Sequence, residues 1–310
     1  MNEAPILGDY ILDRIGNTPL IAFRRLLPRN SRVRILAKAE WFNPGGSVKD
    51  RTALQIILDA ERRGDLASGK VLIDSSSGNT GIAYAMIGAA RGIPVELVMP
   101  ASVSEERKLI AAAFGAKIVY SDPYEGSDGA IRLVRELVNA QPNRYYYADQ
   151  YSNPSNWLAH YRTTGPEIWR QTMGQVTHVV AGLGTSGTIM GTGRYLRERN
   201  SKIQVIGVQP DDALHGIEGL KHMESAIVPA IYDERRLDAK LLVSTEDAFD
   251  MARRIAREEG IFTGQSAGAA FAAALRLADS LDEGTIVVIF PDSGDKYLTT
   301  SLWQKQDWSI

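Results

Sequence analysis

Apolar positions along the chain fall into two rhythms. Short runs with little alternation occupy 71–74, 94–99, 117–120, 145–148, 177–181, 204–209 and 285–290. Such runs read as strands buried on both faces, as parallel sheets require. Between them lie stretches with apolar residues three or four positions apart, the mark of a helix with one buried face. In 49–63 these positions are Ala53, Ile56, Ile57 and Ala60. Further helices are expected over an Ala-rich stretch ending at Arg91, over 102–114 closed by Gly115, near 129–139, and over 186–198, 245–259 and 266–280. Two extended segments, 19–23 and 33–38, come first. Strands alternating with helices of this length predict an α/β chain with mainly parallel sheets. The scheme runs through twice, which predicts two doubly wound domains with loops at the carboxyl ends of strands facing one another, where such sheets bind ligands.

Composition removes several classes of function. The net charge of −2 with no dominant basic patch argues against a nucleic-acid or acidic-membrane partner. No apolar run approaches the roughly 20 residues that span a bilayer, and the start of the chain lacks a secretory pattern, so a cytoplasmic location is expected. The chain has no cysteine, which excludes disulfides, thiolate metal sites and cysteine nucleophiles. No two histidines share a helix-face spacing together with carboxylates, and no metal site is expected.

The loops carry the chemistry. In 43–51, Asn-Pro-Gly-Gly-Ser-Val-Lys-Asp-Arg, a flexible loop enters a helix at Lys49. Ser47 or Asn43 is expected to cap that helix, with Asp50 close behind. A lysine at a helix start sits at the positive end of the dipole, a bias of roughly 0.3–1 kcal/mol against its charge. The neutral amine is the form that condenses with carbonyls. An ordinary solvated lysine fits the same local pattern. Gly182-Leu183-Gly184-Thr185-Ser186-Gly187 ends a strand and opens a helix. It matches a dinucleotide fingerprint, with Asp211 as the candidate acidic partner. It also suits a cradle for a single phosphate, because Thr185, Ser186 and Thr188 add hydroxyl donors to the backbone amides. A merely tight strand–helix turn is the third reading. Gly264-Gln265-Ser266-Ala267-Gly268 matches the hydrolase nucleophile elbow, yet all four histidines precede Ser266, whereas that fold places its histidine after the serine. Ser76-Ser77-Gly78-Asn79-Thr80 offers amides and hydroxyls at a helix start, a modest anion site. The stretch 215–223 holds Lys221 and His222, either a solvated basic turn or a source of positive charge.

Taken together, Asn43-Pro44-x-x-Ser47-x-Lys49-Asp50-Arg51, Gly16-Asn17-Thr18-Pro19-Leu20 and Asp292-Ser293-Gly294-Asp295-Lys296-Tyr297-Leu298 resemble the cysteine synthase family of pyridoxal 5′-phosphate (PLP) enzymes, of the tryptophan-synthase-β fold type. The resemblance spans nearly the whole chain. It implies that PLP lies in the cleft between a smaller mobile domain, 43–150, and a larger one made of 11–42 plus 151–310. It assigns Lys49 to the Schiff base with PLP and to α-proton removal, Asn79 to the phenolic oxygen, and Gly184, Thr185, Ser186, Gly187 and Thr188 to the phosphate. Ser266 falls to the pyridine nitrogen, a role compatible with helix capping. Ser76, Ser77, Gly78, Asn79, Thr80 and Gln150 fall to the substrate carboxylate. The family commonly has glycine where this chain has Ser186, and threonine where it has Ser76. Lys221 and His222 lie where related enzymes line the entrance for leaving group and sulfur donor. The implied reaction is β-replacement on O-acetylserine or O-phosphoserine by a sulfur nucleophile, through an α-aminoacrylate, to give L-cysteine. Cystathionine β-synthases and serine/threonine dehydratases share the scaffold. The resemblance also implies a homodimer, and serine acetyltransferase or a sulfur-carrier protein as partner.

Overall fold

In a computed structural model the described residues are 10–28, 31–67, 69–76, 78–101, 103 and 105–304. In chain order the elements are β1 Leu20–Ala22, β2 Val33–Ala39, α1 Lys49–Arg63, β3 Val71–Ser75, α2 Asn79–Arg91, β4 Val95–Pro100, α3 Glu105–Ala113, β5 Lys117–Ser121, α4 Gly126–Ala140 and β6 Tyr145–Tyr147. There follow α5 Ser155–Arg162, α6 Thr164–Gln171, β7 His178–Gly182, α7 Gly187–Arg199, β8 Gln204–Pro210, β9 Ala239–Val243, α8 Thr245–Arg254, α9 Gln265–Ala278, β10 Gly284–Phe290 and α10 Ser301–Gln304.

The strands form two sheets. One is four-stranded in the order β5-β4-β3-β6, all parallel. The other is six-stranded in the order β1-β2-β10-β7-β8-β9, parallel except for β1 against β2. Successive residues of the central strands feed different cores, as the two-residue period of a strand demands. Val180, Ile286, Val288 and Phe290 join α8 and α9 on one face of the larger sheet. Val179, Ala181, Val287 and Ile289 meet Ile168, Ile189 and Met190 on the other. In the smaller sheet Leu72 and Leu97 face one core, Ile73 and Val98 the other. Both sheets are therefore covered on both sides, and their strands read as unbroken apolar runs for that reason.

The structure departs from the sequence expectation at three places. The edge strand β9 lies outside the expected elements; Ala239 to Val243 is mostly half-exposed, as a sheet edge allows. The helices α5 and α6 also lie outside the expected elements. The face that α5 buries includes Ser155, Asn156 and His160 alongside Ala159, so no apolar stripe marks it, and α6 is eight residues long and opens with Thr164-Gly165-Pro166, which reads as a turn. The helix expected over 245–259 is α-helical only to Arg254, then widens into a π turn over Ile255–Glu259 and ends at Gly260. That ending aims the Glu259 carboxylate at the backbone N–H groups of Arg24, Arg25 and Leu26. Among the described residues no helix is long and apolar enough to cross a membrane.

Candidate active site

The carboxyl ends of β3, β6, β7 and β10 open on one cavity, together with the first turn of α1 and the start of α9. Lys49 reaches it from α1. The loop before it is clamped to the end of β10, where Val48 N donates to Pro291 O at 2.8 Å and Ser47 bridges Asp292. The expected cap is only partly realised. Ser47 Oγ accepts from Lys49 N at 3.2 Å, but Val48 stands at the N-cap. Asn43 is committed elsewhere, donating to Glu40 and accepting from Gly16 N, and Asp50 turns back to Gly45 N. The Lys49 amine makes no hydrogen bond among the described residues and lines the cavity. Burial lowers its pKa, opposed by the carboxylates of Asp292 and Glu40. Desolvation thus shifts it toward the neutral amine more directly than helix position does.

Two residues on, Arg51 points away from the cavity into a closed set of buried charges. Its guanidinium donates to Glu40 at 2.7 and 2.9 Å and to Glu167 at 2.6 and 2.8 Å. Lys38 donates to Glu167 at 2.7 Å, and Thr18 donates to Glu40 at 2.6 Å. This network fixes the first turn of α1 against β2, α6 and the loop at 16–18.

The turn between β7 and α7 lines the cavity through Gly184, Thr185, Ser186 and Thr188. Its glycines are dictated by neighbours. A Cβ at Gly184 would drive into the carbonyl oxygen of Gly219, and one at Gly187 into the side-chain oxygen of Asn156. Gly187 itself does not line the cavity. Ser186 sits in the left-handed region at φ 68°, which explains glycine as the usual occupant. Its hydroxyl donates to Thr185 O at 2.5 Å, so the expected third hydroxyl donor is lost to the chain's own backbone. Asp211 is exposed and outside the cavity, which removes the acid that a dinucleotide site needs.

Across the cavity, Ser76 Oγ accepts from Gly81 N at 2.8 Å and so anchors the start of α2. Ser76, Gly78, Asn79, Thr80 and Gln150 line the wall, while Ser77 lies outside the described residues. Thr80 donates to Gln150 Oε1 at 2.8 Å, and Gln150 Nε2 donates to Ser75 O at 2.7 Å. Asn79 is held at both ends, donating to Asp292 at 2.7 Å and accepting from Lys296 at 2.9 Å. Ser266, second in α9, faces the cavity with a hydroxyl that has no hydrogen bond among the described residues. Lys221 also lines it, paired with Asp128 of α4 at 3.3 Å and lying 5.2 Å over the Tyr151 ring. His222 does not; it bonds Ser225 at 2.9 Å and lies near Glu224, so it adds no charge to the cavity.

Sequence reasoning missed Arg107, Tyr151, Glu218 and Tyr297, which all line the cavity. Arg107 is ion-paired with Glu218 and stacks 5.0 Å from the Tyr297 ring, whose hydroxyl donates to Asp292 at 2.7 Å. The polar run 292–298 directly after an apolar strand was a usable signal for Tyr297. Arg107 had none, being one arginine on an ordinary amphipathic helix.

The donor set fits PLP. An amine and a hydroxyl that make no hydrogen bond among the described residues, Lys49 and Ser266, share one cavity with the hydroxyl-bearing turn at the start of α7. The starts of α2 and α7 both open on the cavity with amides and hydroxyls, two separate anion sites that suit a carboxylate and a phosphate together. Among the described residues no cluster of histidine and acidic side chains could hold a metal.

Comparison with known proteins agrees with the geometry. Residues 11–292 match the family described as pyridoxal-phosphate dependent enzyme. The chain is 58% identical to a cysteine synthase of Aquifex aeolicus, over 96% of this chain and 93% of that one. It is 44% identical to cysteine synthase B of Pseudomonas aeruginosa, over 94% and 97%. The crystal structure of a cysteine synthase from Entamoeba histolytica superposes with a TM-score of 0.93 at 37% identity, covering 100% of this chain and 95% of that one. The chain therefore belongs to the cysteine synthase family of pyridoxal-phosphate dependent enzymes.

Proposed function

We propose that this enzyme makes L-cysteine by replacing the activated hydroxyl of O-acetyl- or O-phospho-L-serine with a sulfur nucleophile. The observation that carries the reading is the Lys49 amine, without a hydrogen bond among the described residues, in the same cavity as the hydroxyl turn of α7 and the Ser266 hydroxyl. PLP bound there supplies an aldehyde that links to amines and a conjugated ring that accepts charge from the substrate's α-carbon. Thr185, Thr188 and the amides at the start of α7 hold its phosphate, Asn79 meets the ring oxygen, and Ser266 meets the ring nitrogen. A hydroxyl at that nitrogen, rather than a carboxylate, leaves it unprotonated and favours loss of the β-substituent over amine exchange.

The amides and hydroxyls of Ser76, Ser77, Gly78, Asn79 and Thr80, with Gln150, hold the substrate carboxylate. Lys49 Nζ takes the α-proton, a role suited to an amine whose charge burial disfavours. Residues 43–150 act as the mobile unit that closes over the carboxylate and excludes water. The Arg107–Glu218 and Lys221–Asp128 pairs, each joining that unit to the 215–223 loop, are the contacts such a closure would make and break. Lys221 adds positive charge on the leaving-group side, which supports turnover of the phosphorylated substrate as well as the acetylated one. A dimer in solution and a cytoplasmic location complete the reading; sedimentation and cell fractionation test them.

The decisive experiment is borohydride reduction of the purified, PLP-loaded protein, followed by peptide mass mapping. The reading requires the reduced adduct on Lys49, an inactive Lys49→Ala variant, and cysteine formed from either activated serine with sulfide. An adduct elsewhere, or no product with both serines, overturns it. A Lys221→Ala variant that loses rate equally with both serines would remove the assigned role of that lysine.

A further inference from the structure

Two polar side chains of α5, four residues apart and so on one face of the helix, lie beneath the turn between β7 and α7. Asn156 is 1% exposed and His160 is 0% exposed. Asn156 Nδ2 donates to Gln150 O at 2.7 Å and to Thr185 Oγ1 at 3.1 Å, while its Oδ1 accepts from Thr52 Oγ1 at 3.2 Å. His160 Nε2 lies 3.3 Å from both Thr52 Oγ1 and Thr188 Oγ1, and Nδ1 lies 2.9 Å from Thr164 Oγ1.

The direction of every bond in this set follows from one group. A backbone carbonyl only accepts, so the amide atom of Asn156 that faces Gln150 O must be nitrogen. The same nitrogen then donates to Thr185, whose oxygen accepts and whose single proton is left for the cavity. Thr52 gives its own proton to Asn156 Oδ1, so toward His160 it can only accept, and Nε2 must carry hydrogen. Nε2–H serves Thr188 as well, and the Thr188 proton is likewise left for the cavity. Nδ1, bare in this tautomer, takes the proton of Thr164. Burial holds the imidazole pKa down at about 3, so this neutral tautomer persists across the working pH range.

We infer that Asn156 and His160 are positioning residues that aim the hydroxyl protons of Thr185 and Thr188 at a bound phosphate, and that Asn156 ties this turn to the Gln150 segment of the carboxylate site. The inference rests on the reading of the turn as the PLP phosphate site. A threonine whose hydrogen must first be turned away from a protein acceptor is a poorer phosphate donor, and preorganised donors avoid that cost. A charged acceptor in place of the Asn156 amide would reverse the chain, taking the Thr185 proton for itself.

The test is equilibrium binding of PLP and of pyridoxal, which lacks the phosphate, to cofactor-stripped full-length protein. Wild type should prefer PLP strongly. Asn156→Asp should weaken PLP on the order of ten- to a hundredfold, the loss of a charge-assisted bond, and leave pyridoxal affinity unchanged. His160→Leu should weaken PLP by roughly five- to tenfold, for one neutral hydrogen bond. His160→Gln, which keeps an N–H donor, should restore most of it. Equal weakening of both ligands, or none, overturns the positioning role. Should Asn156→Asp fail to fold, the leucine–glutamine pair at His160 decides alone, since equal PLP affinity in those two variants refutes the inference. Wild type binding PLP no better than pyridoxal would instead overturn the phosphate reading of the turn.

Discussion

Replacing Arg51 with methionine removes one cation from a buried set of two carboxylates and two cations. In the native protein the guanidinium contacts Glu40 at 2.7 and 2.9 Å and Glu167 at 2.6 and 2.8 Å, with Arg51 3% exposed and Glu40 0% exposed. Without it, Lys38 still serves Glu167, but Glu40 keeps only the neutral donors Thr18 and Asn43. Breaking a buried pair in this way typically costs about 3–5 kcal/mol, because a charge is stranded away from water. Against a total stability of roughly 5–15 kcal/mol, the variant should fold but melt at much lower denaturant. The pH dependence carries the sign. In the native protein the folded pKa of Glu167 is held down at about 2, chiefly by its bonds and attraction to Arg51 against the cost of burial, and that of Glu40 is also lowered. Their contribution is therefore present above the unfolded carboxylate pKa near 4.3 and is lost as pH falls toward 2. In the variant the Glu40 pKa rises above its unfolded value, so protonation relieves the stranded charge. The deficit should be large at pH 7.5 and shrink markedly by pH 4.5, read by urea unfolding followed by circular dichroism. Glu40→Gln added to the variant should recover part of the loss. A deficit below about 1 kcal/mol, or one equal at the two pH values, would refute the idea that uncompensated charge is what Arg51 prevents.

Gly184→Ala should cost more than tenfold in PLP affinity while leaving helix content intact, because the new methyl meets the Gly219 carbonyl, which cannot yield; titration of stripped protein with PLP checks it. Ser186→Gly should leave stability within about 1.5 kcal/mol of wild type, because relief of left-handed strain of roughly 1–2 kcal/mol is offset by the added chain entropy of glycine, about 0.4–1 kcal/mol, and by loss of the hydroxyl bond to Thr185 O, about 0.5–1.5 kcal/mol; a larger change in the urea midpoint would count against it. His160→Gln should flatten the acid limb of stability. Burial depresses the folded pKa to about 3, so the native protein loses stability as pH falls from about 6.5 toward 3, a loss that glutamine cannot show; unfolding midpoints at pH 4 and 7 compare the two.

Much of this architecture was legible in the chain. Unbroken apolar runs such as Ile286 to Phe290 can be satisfied only between two helical layers, and the structure buries them there. The cavity loops were legible too, because a strand ending in glycine, serine and threonine has few uses besides a turn that offers amides. Lys49 stood out by its place at a helix start, although burial, which no local pattern reveals, is what lowers its pKa.

What escaped notice has one physical origin. Whether a polar side chain is solvated or buried with partners depends on residues distant in the chain, and periodicity carries no information about them. Arg51 meets Glu167 from 116 positions away, and Asn79 meets Asp292 from 213. Helix α5 looks like a poor helix because part of its buried face is built from polar partners for Thr52, Thr185 and Thr188. Residues that break local rules therefore gather around the cavity: left-handed Ser186, buried neutral His160, and the charges behind Lys49. Each costs stability alone and is tolerable only as part of its set. Removal of a single member should thus be felt at the cavity before it is felt in the sheets.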